Sequence, residues 1–298
     1  MNSAILIGND VNNVSPGYDW AQLLAEVVEF VGAKGKLSVI NEQFPLFYEE
    51  IWAYATTTRS RSEDDIKHFI AEKVQRIRPN EIHEALIDLG TKEVLTTNYE
   101  FTLEQSRSGV AEKLDNKGIV SERRYSLFRH YTCNGSRFWH IHGDATHPAS
   151  IALGYEHYSG YLQNMRNYIV TGTGESYRKV RLEPLVKRLK RGDIEPNSWL
   201  DLIFSHDVHI VGLGLDFVEI HLWWLLTYRA RAMNGSKLLP SNNIHYYYPK
   251  SREEQDRTKL RFLRANNVNL HPTDDKSGDR RSYYHKVAKR IKSSLSAK

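Results

Sequence analysis

The segment DVHIVGLGLDFVEIHLWWLLTYRARA, residues 207–232, joins a short apolar strand, a glycine turn and a long apolar helix. The strand lacks the polar alternation of a half-exposed strand, so both of its faces are expected to be covered. The helix that begins near Asp216 is rich in Leu and Trp, and we expect it to pack deep against the sheet. A unit of this kind is typical of a parallel α/β sheet.

The rest of the chain repeats this order of strand and helix. Between the strands lie helical patterns, of which the stretch 19–32 is the clearest, with Asp19 as its expected N-cap and Gly32 as its end. We therefore predict an α/β fold with a doubly wound parallel sheet and helices on both faces. The predicted strands lie at residues 3–8, 93–98, 137–143, 207–214, 243–249 and 267–272.

Two long stretches depart from the simple alternation. Residues 42–89 and 155–205 each carry several helical segments, and the second is rich in Tyr, Arg and Lys. We interpret both as helical insertions that form a small cap module over the sheet. The sequence contains neither an internal repeat nor a low-complexity linker, so we expect residues 1–298 to form a single domain.

Composition narrows the classes of function. With one cysteine, Cys133, the chain has no internal disulfide and no multi-cysteine zinc site, and no metal is expected. No apolar run is long enough to span a membrane and no secretory signal is recognisable, which predicts a cytoplasmic protein without membrane contact. The net charge of +5 is mild. Basic clusters at 177–191 and 280–298 are either solvated helix faces or a nucleic-acid contact.

The predicted strands end in small or hydrogen-bonding residues. Because the carboxyl ends of parallel strands meet at one edge of a sheet, these residues predict a ligand site there. His140 and His142 share one face of an alternating strand, and either could be a hydrogen-bonded core histidine. Asp10 is unusual, since phosphate-binding turns favour glycine. The strand ends are Gly8-Asn9-Asp10, Thr96-Thr97-Asn98-Tyr99-Glu100, His140-Ile141-His142-Gly143-Asp144 and Gly212-Leu213-Gly214-Leu215-Asp216.

The motifs LIGND, LTTNYEFTLE, WHIHGD with SIALGYEHY, and HIVGLGLDFVEIHLWWLL resemble those of the sirtuin superfamily. In particular they resemble the sirtuin-like domain of bacterial anti-phage defence proteins, over residues 5–226 apart from the insertions. The resemblance implies a Rossmann-like domain that binds NAD, with Asn98 and His142 as the catalytic pair. It implies pyrophosphate contact near Gly8 and an adenine-ribose end near Gly212. The NAD-binding residues implied in this way are Gly8, Asn9, Asp10, Thr97, Gly212, Leu213 and Gly214.

The resemblance also indicates which reaction to expect. Protein-deacylating sirtuins generally carry a zinc ribbon of four cysteines, which a chain with one cysteine cannot form. The defence members resemble NAD glycohydrolases, which cleave the nicotinamide–ribose bond and deplete NAD. His142 can take up a proton near neutral pH if its pKa is ordinary, and Asn98 can orient water or ribose hydroxyls. We expect activity to await a homo-oligomer or a separate defence partner protein.

Alternatives stay open for the function of the chain and for the role of Asp144. Family members mostly have glycine at the position of Asp10. A carboxylate at this position would repel phosphate. The chain could then be a non-catalytic NAD or ADP-ribose sensor, or a structural subunit of a defence complex. It could also transfer ADP-ribose or remove acyl groups. Asp144 either sets the tautomer of His142 or serves only as a turn residue.

Overall fold

The computed structural model describes residues 2–14, 20–37, 44–108, 119, 122–174, 180–192, 194–235, 242–275 and 278–296. Within these residues the strands are β1 Ser3–Ile7, β2 Glu93–Thr96, β3 Tyr131–Cys133, β4 Ser136–His140, β5 Asp207–Val211, β6 Ile244–Pro249 and β7 Val268–Thr273. The helices are α1 Trp20–Phe30, α2 Phe44–Thr58, α3 Glu63–Val74, α4 Glu81–Ile87, α5 Thr102–Ser108, α6 Tyr155–Val170, α7 Leu185–Arg191, α8 Trp199–Ser205, α9 Ile220–Gly235, α10 Arg257–Ala265 and α11 Arg280–Ser296. Short 3-10 helices lie at Asn9–Val14, Pro148–Ser150 and Lys250–Arg252.

The strands form one sheet in the order β3-β4-β2-β1-β5-β6-β7. Every neighbouring pair is parallel except β3 and β4. Without β3, this is the strand order of the dinucleotide-binding doubly wound fold, in which the chain adds β2 and β4 on one side of β1 and then changes direction to add β5, β6 and β7 on the other side. The predicted α/β, Rossmann-like architecture is therefore confirmed. The change of direction leaves a crevice at the carboxyl ends of β1 and β5.

Strand β3 was not expected from the sequence. It forms an edge hairpin with β4, and the connecting Asn134 and Gly135 both have positive φ, at 49° and 77°. Asn-Gly is the strongest short hairpin signal because both residues tolerate the left-handed region. The missed strand is only three residues long, and its signal lay in the turn rather than in the strand.

The apolar strands are explained by cores on both faces of the sheet. On one face, Leu6, Trp139 and Ile210 pack with helices α6 to α10. On the opposite face, Ile5 and Val94 pack with α4 and α11. Since successive side chains of a strand point to opposite faces, a strand covered on both sides must be apolar throughout. The predicted helical covering of both faces is confirmed.

A third hydrophobic cluster stands apart from the sheet and forms the cap. It joins α1, α2 and α3, with Phe47 and Ile66 fully buried, and it includes Tyr99 from the loop after β2. The inserted helices are thus divided between two layers: α2 and α3 belong to the cap, whereas α4 and the segment α6 to α8 pack on the sheet. The expected N-cap Asp19 lies outside the described residues.

The first basic stretch contains helix α7 in its second half, after the non-helical residues 180–184, and the second contains helix α11. Residues 177–179 and 297–298 of these stretches lie outside the described part of the chain. Helix α11 buries Tyr284, Val287 and Ile291 against the sheet and exposes its lysines, which is the amphipathic pattern expected for it. Among the described helices, none is both long and apolar enough to cross a membrane.

Candidate functional site

A cavity of about 710 Å³ opens at the carboxyl ends of β1, β2, β5 and β6, at the crevice described above. Its size lies within the range of sites for small molecules and cofactors. The cap supplies part of the wall through Trp20, Leu23 and Val74. Gly8, which was also predicted as a site residue, is buried and does not line the cavity. The predicted site residues that do line the cavity are Asn9, Asp10, Thr97, Asn98, His142, Gly212, Leu213 and Gly214.

Asn98 has an unusual environment. It is 4% exposed, and among the described residues neither its amide nitrogen nor its amide oxygen forms a hydrogen bond. Buried polar groups are nearly always paired, because leaving one unpaired costs about 1–3 kcal/mol. Burial raises the pKa of the neighbouring Glu100 carboxyl, on which the Asn98 amide acts, yet neither amide atom has a hydrogen bond of normal geometry among the described residues. The amide fits a group that a ligand would satisfy.

The backbone of Asn98 is fixed by its neighbours. Its N–H donates to Thr96 Oγ1 at 3.0 Å, and its carbonyl oxygen lies 2.8 Å from His140 Nδ1. His140 Nε2 lies 2.8 Å from Glu104 Oε1. Burial alone would lower the pKa of His140, but the Glu104 carboxylate raises it to about 9, so the ring is cationic at neutral pH. His140 is thus the hydrogen-bonded core histidine of the pair, and it holds Asn98 in place.

His142 follows β4 after that strand has ended, and its ring has a different partner. Its Nε2 lies 2.8 Å from Nε2 of His221, in the first turn of α9. Burial lowers the pKa of His142 to about 3. The ring is therefore neutral at pH 7, and it lacks the ordinary pKa on which the expected proton uptake near neutral pH depended.

Asp144 does not contact His142. Its Oδ1 accepts hydrogen bonds from Thr146 Oγ1 at 2.6 Å and from the His147 backbone at 3.1 Å, and its Oδ2 lies 3.0 Å from Arg129 Nη2. Burial opposes ionisation, but the contacts with His147 and Arg129 keep the pKa of Asp144 well below its usual range. Of the two roles considered for Asp144, the structure supports the turn residue.

Gly8 and Gly212 allow the ends of β1 and β5 to approach closely. A Cβ on Gly8 would lie 2.4 Å from the carbonyl oxygen of Gly212. Gly212 has φ +65°, and a Cβ there would lie 2.8 Å from Val11 Cγ1. The backbone N–H of Asp10 donates to the Gly212 carbonyl at 3.0 Å. Because any side chain would separate these turns, the two glycines shape the floor of the crevice.

Asp10, which stands where phosphate-binding turns favour glycine, has a cationic partner. Its Oδ1 lies 3.1 Å from Arg280 Nη1, and its Oδ2 accepts a hydrogen bond of 2.5 Å from Tyr284 Oη. Both partners belong to α11. Burial, and then the Asp10 charge, raise the pKa of Tyr284 well above its usual value. The Asp10–Arg280 pair carries no net charge, so the carboxylate does not face the crevice uncompensated.

Sequence reasoning missed Glu219 and His221. Glu219 Oε2 accepts a hydrogen bond from the Asp216 backbone at 3.1 Å, in the turn just before α9. Glu219 lines the cavity, and burial, followed by the nearby Asp216 carboxylate, raises the pKa of Glu219 to about 8. The Asp-x-x-Glu spacing could have indicated this residue. His221 carried no such signal, because a histidine within an apolar helix looks like a core position.

The far end of the cavity is aromatic. Tyr246, Tyr247 and Tyr248 at the end of β6 line it together with Tyr283 and Tyr284 of α11. Tyr246 Oη donates to the carbonyl oxygen of Leu213 at 3.0 Å, which ties the end of β6 to the turn after β5. Flat aromatic faces beside a polar turn suit a planar base joined to a charged or hydroxylated chain.

Comparisons with known proteins agree with the central part of this site. A family model described as the SIR2-like domain matches residues 92–187, about a third of the chain, and this segment contains Asn98 and His142. A comparison with curated proteins found no match. Within the described residues, no group of three or more His, Cys, Asp or Glu side chains could hold a metal ion. The matched segment is similar to the SIR2-like domain, and SIR2-like domains use NAD.

Proposed function

We propose that this chain is an NAD glycohydrolase that cleaves the bond between nicotinamide and ribose. The observation that carries the proposal is the unpaired, buried amide of Asn98 in the same cavity wall as His142, at the crevice between β1 and β5. Doubly wound sheets bind dinucleotides at this crevice. The similarity to a SIR2-like domain, whose match includes both residues, supports the same ligand.

The polar and aromatic ends of the cavity suggest how NAD would lie. The turn at Asn9 and Asp10, with Arg280 beside it, would receive the pyrophosphate. The backbone from Gly212 to Gly214 and the tyrosines behind it would border the adenine and its ribose. Asn98 and His142 would then flank the nicotinamide ribose.

The reaction needs little covalent chemistry from the protein. The N-glycosidic bond breaks with its electron pair leaving on nicotinamide, which departs as a neutral molecule. Water adds to C1′ of the cation-like ribose and releases one proton. Asn98 can donate to one oxygen and accept from another, so it can orient the water or the ribose hydroxyls without adding charge. Holding the reactants in this geometry is the main contribution expected of the site.

The test is nicotinamide release from NAD by the purified chain and by Asn98→Ala and His142→Ala. We expect each variant to lose at least about a hundredfold in rate, in line with the loss of one positioned polar group at a reacting centre. Asn164→Ala and His68→Ala are matched controls, because among the described residues Asn164 bonds only to Gly160 of its own helix, and His68 is exposed. Undiminished hydrolysis in both site variants would refute the assigned pair.

The alternative of a non-catalytic NAD or ADP-ribose sensor was motivated by the charge of Asp10, and Arg280 lies beside that charge. Calorimetric titration with ADP-ribose beside the hydrolysis assay separates the two functions. Tight binding without turnover, in the presence of every partner tried, would favour the sensor.

As the wider part of this proposal, the chain acts in the cytoplasm as an effector of anti-phage defence that depletes NAD. It is restrained until it forms a homo-oligomer or binds a partner protein. The test is NAD content after phage infection of cells that carry the wild-type chain or Asn98→Ala. Light scattering, run alongside hydrolysis assays, tests the restraint. A full hydrolysis rate in the isolated monomer would refute the restraint without affecting the proposed reaction.

A further inference from the structure

We propose that His221 is a positioning residue, which holds His142 in the neutral tautomer with its proton on Nδ1. In that form His142 presents a hydrogen-bond donor to the substrate and does not act as its base. This inference rests on the proposed function for its catalytic meaning, although the pairing of the two rings can be tested without it.

The two imidazoles form an isolated buried pair. Their Nε2 atoms are 2.8 Å apart, and His142 and His221 are 4% and 0% exposed. Among the described residues, no carboxylate lies within hydrogen-bond or ion-pair distance of either ring. Burial, and then the neighbouring His142, keep the pKa of His221 well below its usual value. Both rings are therefore neutral at pH 7, and a neutral pair shares one hydrogen between the two Nε2 atoms.

The second nitrogen of His221 decides which ring donates. His221 Nδ1 is buried and has no hydrogen-bond partner among the described residues. A proton on Nδ1 would leave an orphaned buried N–H, which proteins tolerate less well than an unpaired acceptor. His221 therefore carries its proton on Nε2 and donates to His142 Nε2. His142 must then carry its own proton on Nδ1, the ring nitrogen that His221 does not engage.

The surrounding aromatic rings keep His221 in this orientation. The Tyr158 ring stacks on His221 with centroids 4.9 Å apart and an angle of 10° between the planes, and Tyr161 contacts it at 5.7 Å. Tyr158 also lies 5.4 Å from His142. Burial raises the pKa of both tyrosines, so neither brings a charge to the pair at neutral pH. Glu219, which acts electrostatically on Tyr158, precedes His221 by two residues.

The tautomers can be observed directly by ¹⁵N NMR of the histidine rings in the full chain. We expect a protonated Nδ1 and a bare Nε2 for His142, and the reverse for His221. In His221→Leu, His142 should lose this preference and shift towards the Nε2-protonated form. A wild-type His142 protonated on Nε2, or an unchanged tautomer in His221→Leu, would overturn the proposal.

Activity provides the second arm. We expect the rate of nicotinamide release to fall by about 10- to 100-fold in His221→Leu, with the Kd for ADP-ribose changed by less than about threefold. His221→Gln should regain at least about half of the lost rate on a logarithmic scale, because its amide N–H can donate to the same nitrogen. Equal loss in the Leu and Gln variants would contradict the positioning role. If the wild type has the expected tautomers but hydrolyses no NAD, the pairing stands and the proposed function fails.

Discussion

The Asp10–Arg280 pair makes a quantitative prediction about how the site receives an anion. Arg280→Ala leaves the Asp10 carboxylate without its cation at the turn proposed to receive the pyrophosphate. Both side chains are about half exposed, at 53% for Arg280 and 41% for Asp10, so solvent screens the pair. One unit charge about 4 Å from a phosphate oxygen is worth about 1 kcal/mol at a dielectric near that of water. We therefore expect ADP-ribose to bind about fivefold more weakly to Arg280→Ala.

The opposite change should have the opposite effect. Asp10→Asn removes the repulsion and leaves Arg280 in place, so ADP-ribose should bind about fivefold more tightly. The double variant loses a neutral pair, and its Kd should lie within about twofold of the wild type. The assay is calorimetric titration at about 0.02 M and about 0.5 M salt, since the higher concentration should reduce both single effects.

A neighbouring arginine provides the control for this series. Arg281 is equally exposed, at 52%, but pairs with Glu81 of α4 at 3.0 Å instead of with the turn. Arg281→Ala should leave the affinity for ADP-ribose unchanged. The electrostatic reasoning would be refuted if both arginine variants weakened binding equally, or if the double variant bound as weakly as Arg280→Ala.

Three further predictions concern stability. Asn98→Ala should keep the free energy of unfolding or raise it by up to about 1 kcal/mol, because it removes a buried amide without a hydrogen bond. The same variant should abolish hydrolysis. Urea unfolding of the wild type and the variant measures the stability. Gly8→Ala should lower the free energy of unfolding by about 1–3 kcal/mol, since its Cβ would meet the Gly212 backbone, whereas Gly174→Ala, with open space around it, should not. Burial lowers the pKa of His209 to about 3, so the unfolded chain binds more protons between pH about 6.5 and 3 and stability should fall as pH drops through that window. His209→Gln should flatten this decline in the urea midpoint, and the exposed His68→Gln should not.

The parts of the fold that the sequence predicts have signals that lie within a few consecutive residues. The central strands are mainly apolar, with a few buried polar residues such as Glu93 and His209, so their existence and the parallel sheet follow from a few consecutive residues. The same locality brought out Asn98 and His142, because polar residues directly after such strands must meet at one edge of the sheet. The antiparallel strand β3 escaped because three residues are too few to show a pattern.

The partners of the site residues were not predictable for the opposite reason. Arg280 and Tyr284 reach Asp10 from the far end of the sequence, so no local pattern connects them. The low pKa of His142 follows from burial against α6 and α9, which its own neighbours in the sequence do not reveal. Sequence patterns thus pointed to residues that line the cavity, whereas their charge states depended on contacts between distant segments.

The cap has a hydrophobic core of its own, and the cavity lies where that core meets the sheet. Trp20 and Leu23 of the cap line one side of the cavity, and the strand ends line the other. A ligand held there contacts two separately packed bodies at once, so its binding free energy also favours their association. Occupancy should therefore slow amide hydrogen exchange throughout α1 and α3, including residues far from the ligand. Ligand binding in this cavity should therefore stabilise the cap against the sheet.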